Sequence, residues 1–406
     1  MQRELRCSPS RVKNIFITNK KIPLGSFWDA YYLCIKRKGR TSNALYFKAN
    51  LERNLRQLCK EVNDRTYEIG KSIAFIVEQP VKREVFAADF RDRVVHDWVC
   101  MKLNPLFEKY IPENICSNRV NKGTLYAIKR VYASIERVSE GYTKDCWIWK
   151  FDLKGFFMSI DKRILNTKLQ TFIDEHYFEY DKDTLKWLVE KIIMHCPQKN
   201  CIRKSKPSAW RNLRPEKSLF TQDDYHGVPI GNLPSQLFAN FLLSDLIFYL
   251  QANGFDECTQ YVDDDVVVFT DKQKLLKFIP VFRKWLLENL GITLHPKKCY
   301  IQHYTKGVSF VGGLIKPHRI YISKRTRRKM KAKIHWIVYN DSGSLKDALA
   351  SVNSYFGQTR QFYGYKLRLV AVGELFKRFH KDIYFNNNCQ KMIIVKRLKT
   401  RRHGYI

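Results

Sequence analysis

Apolar positions in the N-terminal part of the chain alternate between helical and strand-like spacing. Leucine and valine recur at helical intervals over residues 43–62, behind a capping residue at Ser42, and predict a helix. Two short β-rich runs, 66–70 and 73–77, predict strands. Residues 84–110 are rich in aromatic residues and valine, and we expect them to be mostly helical.

The middle of the chain predicts a single α/β pattern interrupted by a loop. The predicted elements are a strand at 147–153, a helix at 162–174, a long helix at 233–252, strands at 258–262 and 266–270, a helix at 273–290 and a strand at 299–304. Residues 196–226 form a polar, basic insertion with three prolines, which predicts mostly loop. Without the first helix and the insertion, the order is β-α-β-β-α-β. This split-βαβ order puts the first and last strands side by side in one antiparallel sheet.

The pattern changes again after residue 306. Residues 307–322 predict a β-hairpin, and a basic, helical region runs from there to the end of the chain. No internal repeat or low-complexity block is present. The expected fold class is therefore α+β.

The net charge of +34 over 406 residues sets this composition apart from that of an ordinary globular protein. Such an excess repels itself in a compact fold and is usually offset by a polyanion, most often nucleic acid. An anionic membrane is the other candidate, but the basic residues are spread along the chain and no short amphipathic anchor stands out. We therefore expect a nucleic-acid partner and no membrane.

One basic run is a candidate for phosphate-backbone binding. Residues 316–333 hold nine lysines and arginines and no acid, whereas a solvated helix face usually interleaves both signs. A solvated face is the alternative interpretation. The candidate nucleic-acid-binding residues are Lys316, Arg325, Arg327, Arg328, Lys329, Lys331 and Lys333.

Three consecutive carboxylates, Asp263, Asp264 and Asp265, occupy the predicted turn between two short strands. Carboxylates this close repel each other, which a divalent cation such as Mg²⁺ would relieve. An ordinary acidic turn explains the same residues equally well. Asp152 ends the strand that the split-βαβ order places beside this turn, and this pairing favours a metal site over a simple cap at Asp152.

A glycine-containing segment, residues 227–236 (GVPIGNLPSQ), leads into the long helix. Glycines before a helix let the backbone approach a ligand, and the helix N-terminus favours anions. Taken alone, this segment is weak evidence for a site.

Together these motifs resemble a reverse transcriptase palm. The resemblance rests on the tetrad 261–264 (YVDD), the strand around Asp152 and the glycine-containing helix entry between them. Residues 230–240 (IGNLPSQLFAN) are similar to the signature of diversity-generating retroelement reverse transcriptases, a branch of the group II intron-like lineage. Segments 90–96, 200–220 and 352–355 also resemble that family, whereas Pro234 departs from it.

The resemblance implies a right-hand polymerase with fingers, an RRM-like split-βαβ palm and a helical thumb. The implied parts are an N-terminal region with fingers (1–145), a palm (146–306, containing the insertion 196–226), a primer-grip hairpin with thumb (307–390) and a basic tail (391–406).

The family also implies roles for individual residues. Two Mg²⁺ ions, with Mn²⁺ as an alternative, would be bound by Asp152, Asp263 and Asp264 with help from the Leu153 carbonyl. Lys298 matches a lysine that protonates the departing pyrophosphate. Asp265 is expected to have a supporting or structural role.

The implied nucleotide pocket draws on three separate segments. Arg83, with Lys82 beside it, matches the fingers arginine that contacts the triphosphate. Phe157 matches the bulky gate against a ribose 2′-hydroxyl, for which a buried core aromatic is the alternative interpretation. The segment that leads into the long helix would contribute Ile230, Gly231 and Gln236 to this pocket.

The biological role that the resemblance implies is error-prone copying of a structured template RNA in a diversity-generating retroelement. Its expected partners are the RNA, the RNA–DNA duplex and deoxynucleoside triphosphates, with a small basic accessory protein or a second reverse transcriptase left open. One alternative is an antiphage defence reverse transcriptase that makes cDNA with a non-coding RNA. Another is a catalytically idle, maturase-like RNA-binding scaffold, which the complete carboxylate set disfavours.

The expected location is the cytoplasm of a prokaryote. Residues 1–20 show no apolar signal region, and the eleven cysteines follow no repeated spacing. The apolar stretch 233–250 is interrupted by polar residues and predicts a buried helix.

Overall fold

Helices and short strands alternate along the chain in a computed structural model that describes residues 21–79, 81–340 and 345–395. The helices are α1 (Leu24–Lys38), α2 (Ser42–Ala49), α3 (Leu51–Asn63), α4 (Phe90–Tyr110), α5 (Thr124–Val138), α6 (Phe156–Ser159), α7 (Lys162–His176), α8 (Lys182–Met194), α9 (Leu233–Ala252), α10 (Lys272–Leu290), α11 (Lys324–Tyr339), α12 (Leu345–Thr359) and α13 (Tyr365–Phe379). The strands are β1 (Ser72–Val77), β2 (Arg83–Ala87), β3 (Trp147–Asp152), β4 (Cys201–Arg203), β5 (Cys258–Tyr261), β6 (Asp264–Phe269), β7 (Tyr300–His303), β8 (Val308–Phe310), β9 (Gly313–Lys316), β10 (Arg319–Ile322), β11 (Ile383–Phe385) and β12 (Met392–Ile394).

Contacts divide these elements into two units. The described part of the first unit is 21–79, 81–106, 166–211 and 231–234, and that of the second unit is 107–165, 212–230, 235–340 and 345–395. The finer division into palm, thumb and tail stays a prediction. Most of the predicted tail, residues 396–406, lies outside the described residues.

The first unit joins a small sheet to an aromatic helical core. Strand β1 lies between β2, its antiparallel partner, and β4, its parallel partner. Phe27 of α1 stacks on Trp98 of α4 with ring centroids 6.2 Å apart, and both side chains are fully buried. Burial of such large rings is the main stabilising term of this core.

The second unit contains the predicted split-βαβ sheet. Its strand order is β5-β6-β3-β7, every neighbouring pair is antiparallel, and the first and last strands of the motif, β3 and β7, lie side by side as predicted. Ile148 and Val266 on one face join a core with Val131 of α5. On the other face, Trp149 contacts Phe282 of α10 edge-on, with ring centroids 5.3 Å apart. Both faces are buried, so the sheet is a rigid platform.

The helices after the β8-β9-β10 meander form a separate hydrophobic cluster. Met330 and Ile334 of α11, Val352 and Phe356 of α12 and Leu375 of α13 are all buried in it. The residues that α11 buries are Met330, Ile334, Ile337 and Val338, and they lie on one face of the helix.

Four local predictions need correction. The helix over 43–62 is two helices that meet at Asn50, whose backbone is not helical. Residues 66–70 are not a strand, and residues 84–87, expected to begin the helical stretch 84–110, belong to β2. The C-terminal region is not helical throughout, since β11 and β12 form a hairpin there.

Helix α9 matches its predicted bounds and is long and apolar enough to cross a membrane by length and composition alone. Its apolar window is 72% buried within the structure, as is typical of a core helix. Such a helix is weak evidence for a membrane span.

Candidate active site

Three carboxylates meet at one end of the β5-β6-β3-β7 sheet. Asp152, the last residue of β3, lies directly opposite Asp264, the first residue of β6. Asp263 precedes Asp264 in the turn, and its carbonyl oxygen accepts a hydrogen bond from the Leu153 backbone N–H at 3.1 Å. The strand register therefore brings together the metal ligands that the sequence predicts.

A strained turn presents these carboxylates. Val262 has a φ of +60°, a left-handed conformation that β-branched residues rarely adopt and that costs about 1–3 kcal/mol. The surroundings hold it there, because the Val262 N–H donates to Ser117 Oγ at 3.3 Å, and Asn240 of α9 is bonded to Ser117 through both of its side-chain polar atoms. Sequence reasoning assigned no role to Ser117 or Asn240. The signals for Asn240 were its place at the end of the 230–240 segment and its polarity inside an apolar helix.

The site accumulates negative charge. Burial, together with the charges of Asp152 and Asp264, raises the pKa of Asp263 to about 6. Asp265 is fully buried, and neither of its carboxyl oxygens has a hydrogen-bond partner among the described residues. Burial and the neighbouring Asp264 and Asp263 raise the pKa of Asp265 well above its usual range. Asp265 lies one position further along β6, so it cannot share a face with Asp264.

Two lysines partly offset this charge. Lys298 Nζ donates to Asp152 Oδ2 at 2.8 Å, and Lys150 Nζ lies 3.3 Å from Asp264 Oδ1. Lys150 also donates to the Ser309 carbonyl at 2.9 Å. Among the described residues, no lysine or arginine forms an ion pair with Asp263, so the repulsion from Asp152 and Asp264 adds to burial in raising its pKa.

The donor chemistry suits a hard divalent cation. Within the described part of the chain, no three His, Cys, Asp or Glu side chains form a ready metal-binding group, and two of the three carboxylates point to lysines. All the candidate ligand atoms are nevertheless oxygens, and burial together with the neighbouring Asp152 and Asp264 raises the pKa of Asp263, a cost that a bound cation would relieve. The residues present fit Mg²⁺.

The fingers candidates lie in the first unit. Arg83 opens β2 and is exposed, while Lys82 Nζ donates to the Arg211 carbonyl at 2.9 Å and lies 3.4 Å from Glu78. Gly231 also belongs to this unit. Its φ is +123°, and a Cβ added there would lie 2.7 Å from a methyl carbon of Val85, so only glycine fits against β2.

The other nucleotide-pocket candidates lie in the second unit. Phe157 is half-buried in α6, and its carbonyl accepts a hydrogen bond from the Val228 N–H at 2.8 Å. This bond ties the gate candidate to the segment that leads to Ile230. Gln236 is half-buried in the first part of α9.

The basic run divides between a strand and a helix. Lys316 ends β9, and the other six candidates lie on α11, whose N-cap Ser323 accepts a hydrogen bond from the Thr326 N–H. Arg327 and Lys331 are four residues apart and share one face, whereas Arg325, Lys329 and Lys333 share another. The run is therefore not a single stripe.

The model of the reverse transcriptase (RNA-dependent DNA polymerase) family matches residues 83–315, more than half of the chain. The chain therefore belongs to the reverse transcriptase family. Membership confirms the predicted α+β polymerase fold class and the predicted enzyme class, an RNA-directed DNA polymerase. A comparison with curated proteins finds no match.

Among solved structures, the chain is similar to fungal telomerases. A telomerase from Candida albicans, solved with a fragment of telomeric RNA, matches with a TM-score of 0.44 and 13% identity over 76% of this chain and 55% of that chain. An apo telomerase from Candida tropicalis matches with a TM-score of 0.47 and 12% identity over 77% of this chain and 60% of that one. The chain thus spans a little over half the length of these telomerases.

Proposed function

We propose that this chain copies a structured RNA into cDNA by two-metal nucleotidyl transfer. The observation that carries the proposal is the convergence of Asp152, Asp263 and Asp264 at one end of the sheet, with Lys298 bonded to the first of them. Reverse transcriptases generally use divalent metal ions, and this cluster is an all-oxygen, negatively charged site of the kind that binds them.

In this proposal, Asp152, Asp263, Asp264 and the Leu153 carbonyl hold two Mg²⁺ ions, with Mn²⁺ as an alternative. When bound, the ions activate a 3′-hydroxyl and stabilise the charge of the departing pyrophosphate. The chain's own contribution is a rigid sheet register that keeps the carboxylates together. Lys298, next to Asp152, supplies a proton to the pyrophosphate.

The remaining site residues bind the incoming nucleotide in this proposal. Arg83 and Lys82 contact the triphosphate. Phe157 excludes a ribose 2′-hydroxyl and so selects deoxynucleotides. The pocket is completed by Ile230, Gly231 and Gln236.

The proposed biological role is that of a diversity-generating retroelement in the cytoplasm of a prokaryote, with a structured RNA as template. The similarity of residues 230–240 to that group's signature supports this role. The net charge of +34 supports RNA and RNA–DNA duplex as partners. A small basic accessory protein or a second reverse transcriptase would complete the assembly. A template and variable repeat pair beside the gene supports the retroelement role, whereas a neighbourhood of defence genes supports the antiphage alternative.

Primer extension tests the activity. The wild type should extend oligo(dT) on poly(rA) with Mg²⁺, and the Asp263→Asn, Asp264→Asn variant should not. A matched control is the Asp223→Asn, Asp224→Asn variant, which alters another adjacent aspartate pair and should extend the primer. If the wild type is inactive on poly(rA) and on RNA co-purified from its own locus, the chain is an RNA-binding scaffold instead.

A further inference from the structure

A second basic site lies in the second unit, apart from the carboxylate cluster. A cavity of about 1050 Å³, here called the thumb cavity, opens between the β9-β10 hairpin, the start of α11 and the start of α13. This volume is at the upper end of the range for small-molecule sites and is large enough for a group of nucleotide size. A hydrogen bond of 3.0 Å from the Tyr363 N–H to the Ile320 carbonyl joins two of its walls. The cavity is therefore formed before any ligand binds.

Every charged side chain that lines the cavity is a cation. No carboxylate is among the described residues around it. Arg327 and Lys331, already candidates for nucleic-acid binding, reach it from α11. The other charged lining residues are Arg319, Lys366 and Arg368. The positive electrostatic potential of these side chains favours an anionic ligand.

Arg368 is the strongest pointer to an anion. Its side chain is only 5% exposed, yet Nε and Nη1 have no hydrogen-bond partner among the described residues. Nη2 donates to the Asn388 carbonyl over 3.5 Å, which is a weak contact. A buried guanidinium without a carboxylate is costly, and a phosphate would offset that cost.

The N-terminus of α13 adds to the positive electrostatic potential of the cavity. Its cap, Gly364, provides no side-chain hydrogen bond, and the first turn has no acidic residue. The cap and the next four residues, 365–368, all line the cavity. Among the described residues, the N–H groups of residues 365–367 have no backbone partner, so they and the helix dipole favour an anion at the place where Arg368 lies buried.

Aromatic rings beside these cations favour a nucleotide over a simple anion. Tyr363 and Tyr365 line the cavity and are 65% and 49% exposed. Tyr321 lies beside Tyr363, with ring centroids 6.2 Å apart, and the Arg319 guanidinium lies 5.5 Å from the Tyr363 ring. Exposed rings next to arginine are the arrangement on which unpaired bases stack.

We propose that the thumb cavity binds an unpaired nucleotide of a single-stranded RNA segment, with its phosphate at Arg368 and the α13 N-terminus and its base on Tyr363 and Tyr365. This inference deepens the proposed function, since the ligand is the RNA partner of the polymerase. It adds a contact to RNA outside the duplex that is being copied.

Binding of labelled hexauridylate, followed by fluorescence anisotropy, tests the proposal. The Tyr363→Leu, Tyr365→Leu variant and the Arg368→Gln variant should each bind the hexamer at least about tenfold more weakly than the wild type. Controls are Tyr46→Leu with Phe178→Leu, which removes two other exposed rings, and Lys277→Gln, which removes one exposed charge; both should bind within twofold of the wild type. Thermal melting checks that the Arg368→Gln variant folds, and the tyrosine variant serves alone if it does not.

Two results would overturn the proposal. In one, the cavity variants bind the hexamer as tightly as their controls. In the other, the cavity variants weaken binding to an RNA–DNA duplex as much as binding to the single strand, which would show that the cavity contacts the duplex. Neither result bears on primer extension, so failure of this inference is distinct from failure of the polymerase assignment.

Discussion

Lys298 donates a hydrogen bond from Nζ to Oδ2 of Asp152 over 2.8 Å, and this ion pair spans 146 positions of the chain. The same carboxylate is a proposed metal ligand, so the lysine and a divalent cation compete for it. The Lys298 side chain is more than half exposed and free to swing away, whereas Asp152 is held at the end of β3. A metal ion that binds Asp152 would therefore displace Lys298 from this carboxylate.

Replacing Lys298 should separate metal affinity from chemistry. Lys298→Gln removes the competing cation, so the Mg²⁺ concentration for half-maximal primer extension should fall by about two- to tenfold. The maximal rate should also fall, by about 10²–10⁴-fold, because the proposed proton donor to the pyrophosphate is lost. A Mg²⁺ titration of the extension rate measures both effects. Lys297→Gln, an exposed neighbour, should change neither.

The free energy of unfolding should depend on pH through Asp263. Its pKa is about 6 in the folded protein and about 3.9 in the unfolded chain, so between pH 4 and 6 the folded state binds more protons. The contribution of Asp263 to stability in metal-free buffer should therefore fall as the pH rises through this window, by up to about 3 kcal/mol. Urea denaturation of the wild type and of the Asp263→Asn variant at pH 4.5, 5.5 and 6.5 measures this contribution.

The Asp263→Asn variant isolates that contribution. It should be more stable than the wild type at pH 6.5 without metal, and the difference should shrink toward pH 4. Asp92, whose pKa is also raised to about 6, is present in both proteins and cancels in the comparison. Adding Mg²⁺ at pH 7 should stabilise the wild type only. Parallel pH profiles for the two proteins would contradict the account of the charge cluster.

Phe157→Ala should relax the choice of sugar. The half-buried ring is proposed to clash with a ribose 2′-hydroxyl, and the alanine variant removes it while leaving the backbone bond to Val228 in place. Incorporation of ribonucleotides relative to deoxynucleotides should rise about tenfold or more. Competition between the two triphosphates in primer extension measures the ratio. Phe157→Tyr should keep the wild-type ratio, and an unchanged ratio in the alanine variant would remove the gate assignment.

Neutralising three arginines of α11 should flatten the salt dependence of binding to an RNA–DNA duplex. Each phosphate contact contributes about 0.9 to the slope of log K against log salt, so changing Arg325, Arg327 and Arg328 to Gln should reduce the slope by about 2–3. Anisotropy titrations between 50 and 200 mM salt give the slope. The same number of charges removed from α10, at Lys277, Arg283 and Lys284, should leave it unaltered. A slope that stays the same in the α11 variant would place the duplex elsewhere.

The β5-β6-β3-β7 sheet was predictable because its signals are local. Each strand carries its own apolar run, and the split-βαβ order then determines which strands pair, so the adjacency of Asp152 and residues 263–265 followed from the sequence, although Asp264 and Asp265 belong to β6 and not to the turn. Boundaries of these strands lie within two residues of the predicted ones. The same reasoning gave the bounds of α9 without error.

Contacts between distant segments were not predictable in this way. Strand β2 was missed because its alternation places a charged residue, Glu84, on the buried side. There the carboxylate accepts a hydrogen bond of 2.7 Å from Trp210 Nε1, a residue 126 positions away in the sequence. The Ser117–Asn240 link behind the turn, and the pairing of β4 with β1, depend likewise on partners that a periodic pattern does not reveal. Such long-range polar contacts determine the geometry of a site but leave no recognisable pattern in the sequence.

Strand β6 is held between two neighbours, and this has a consequence for how the chain can change over evolution. Because side chains alternate with a period of two, losing or gaining one residue in the turn would replace Asp264 with a neighbour from the opposite face. Because β6 is paired on both sides, neither neighbouring strand can shift its register to accommodate a change in the length of the turn. Substitutions in this hairpin can be selected one at a time, but its length cannot drift, so insertions should accumulate in the loops of residues 196–226 and leave the turn alone.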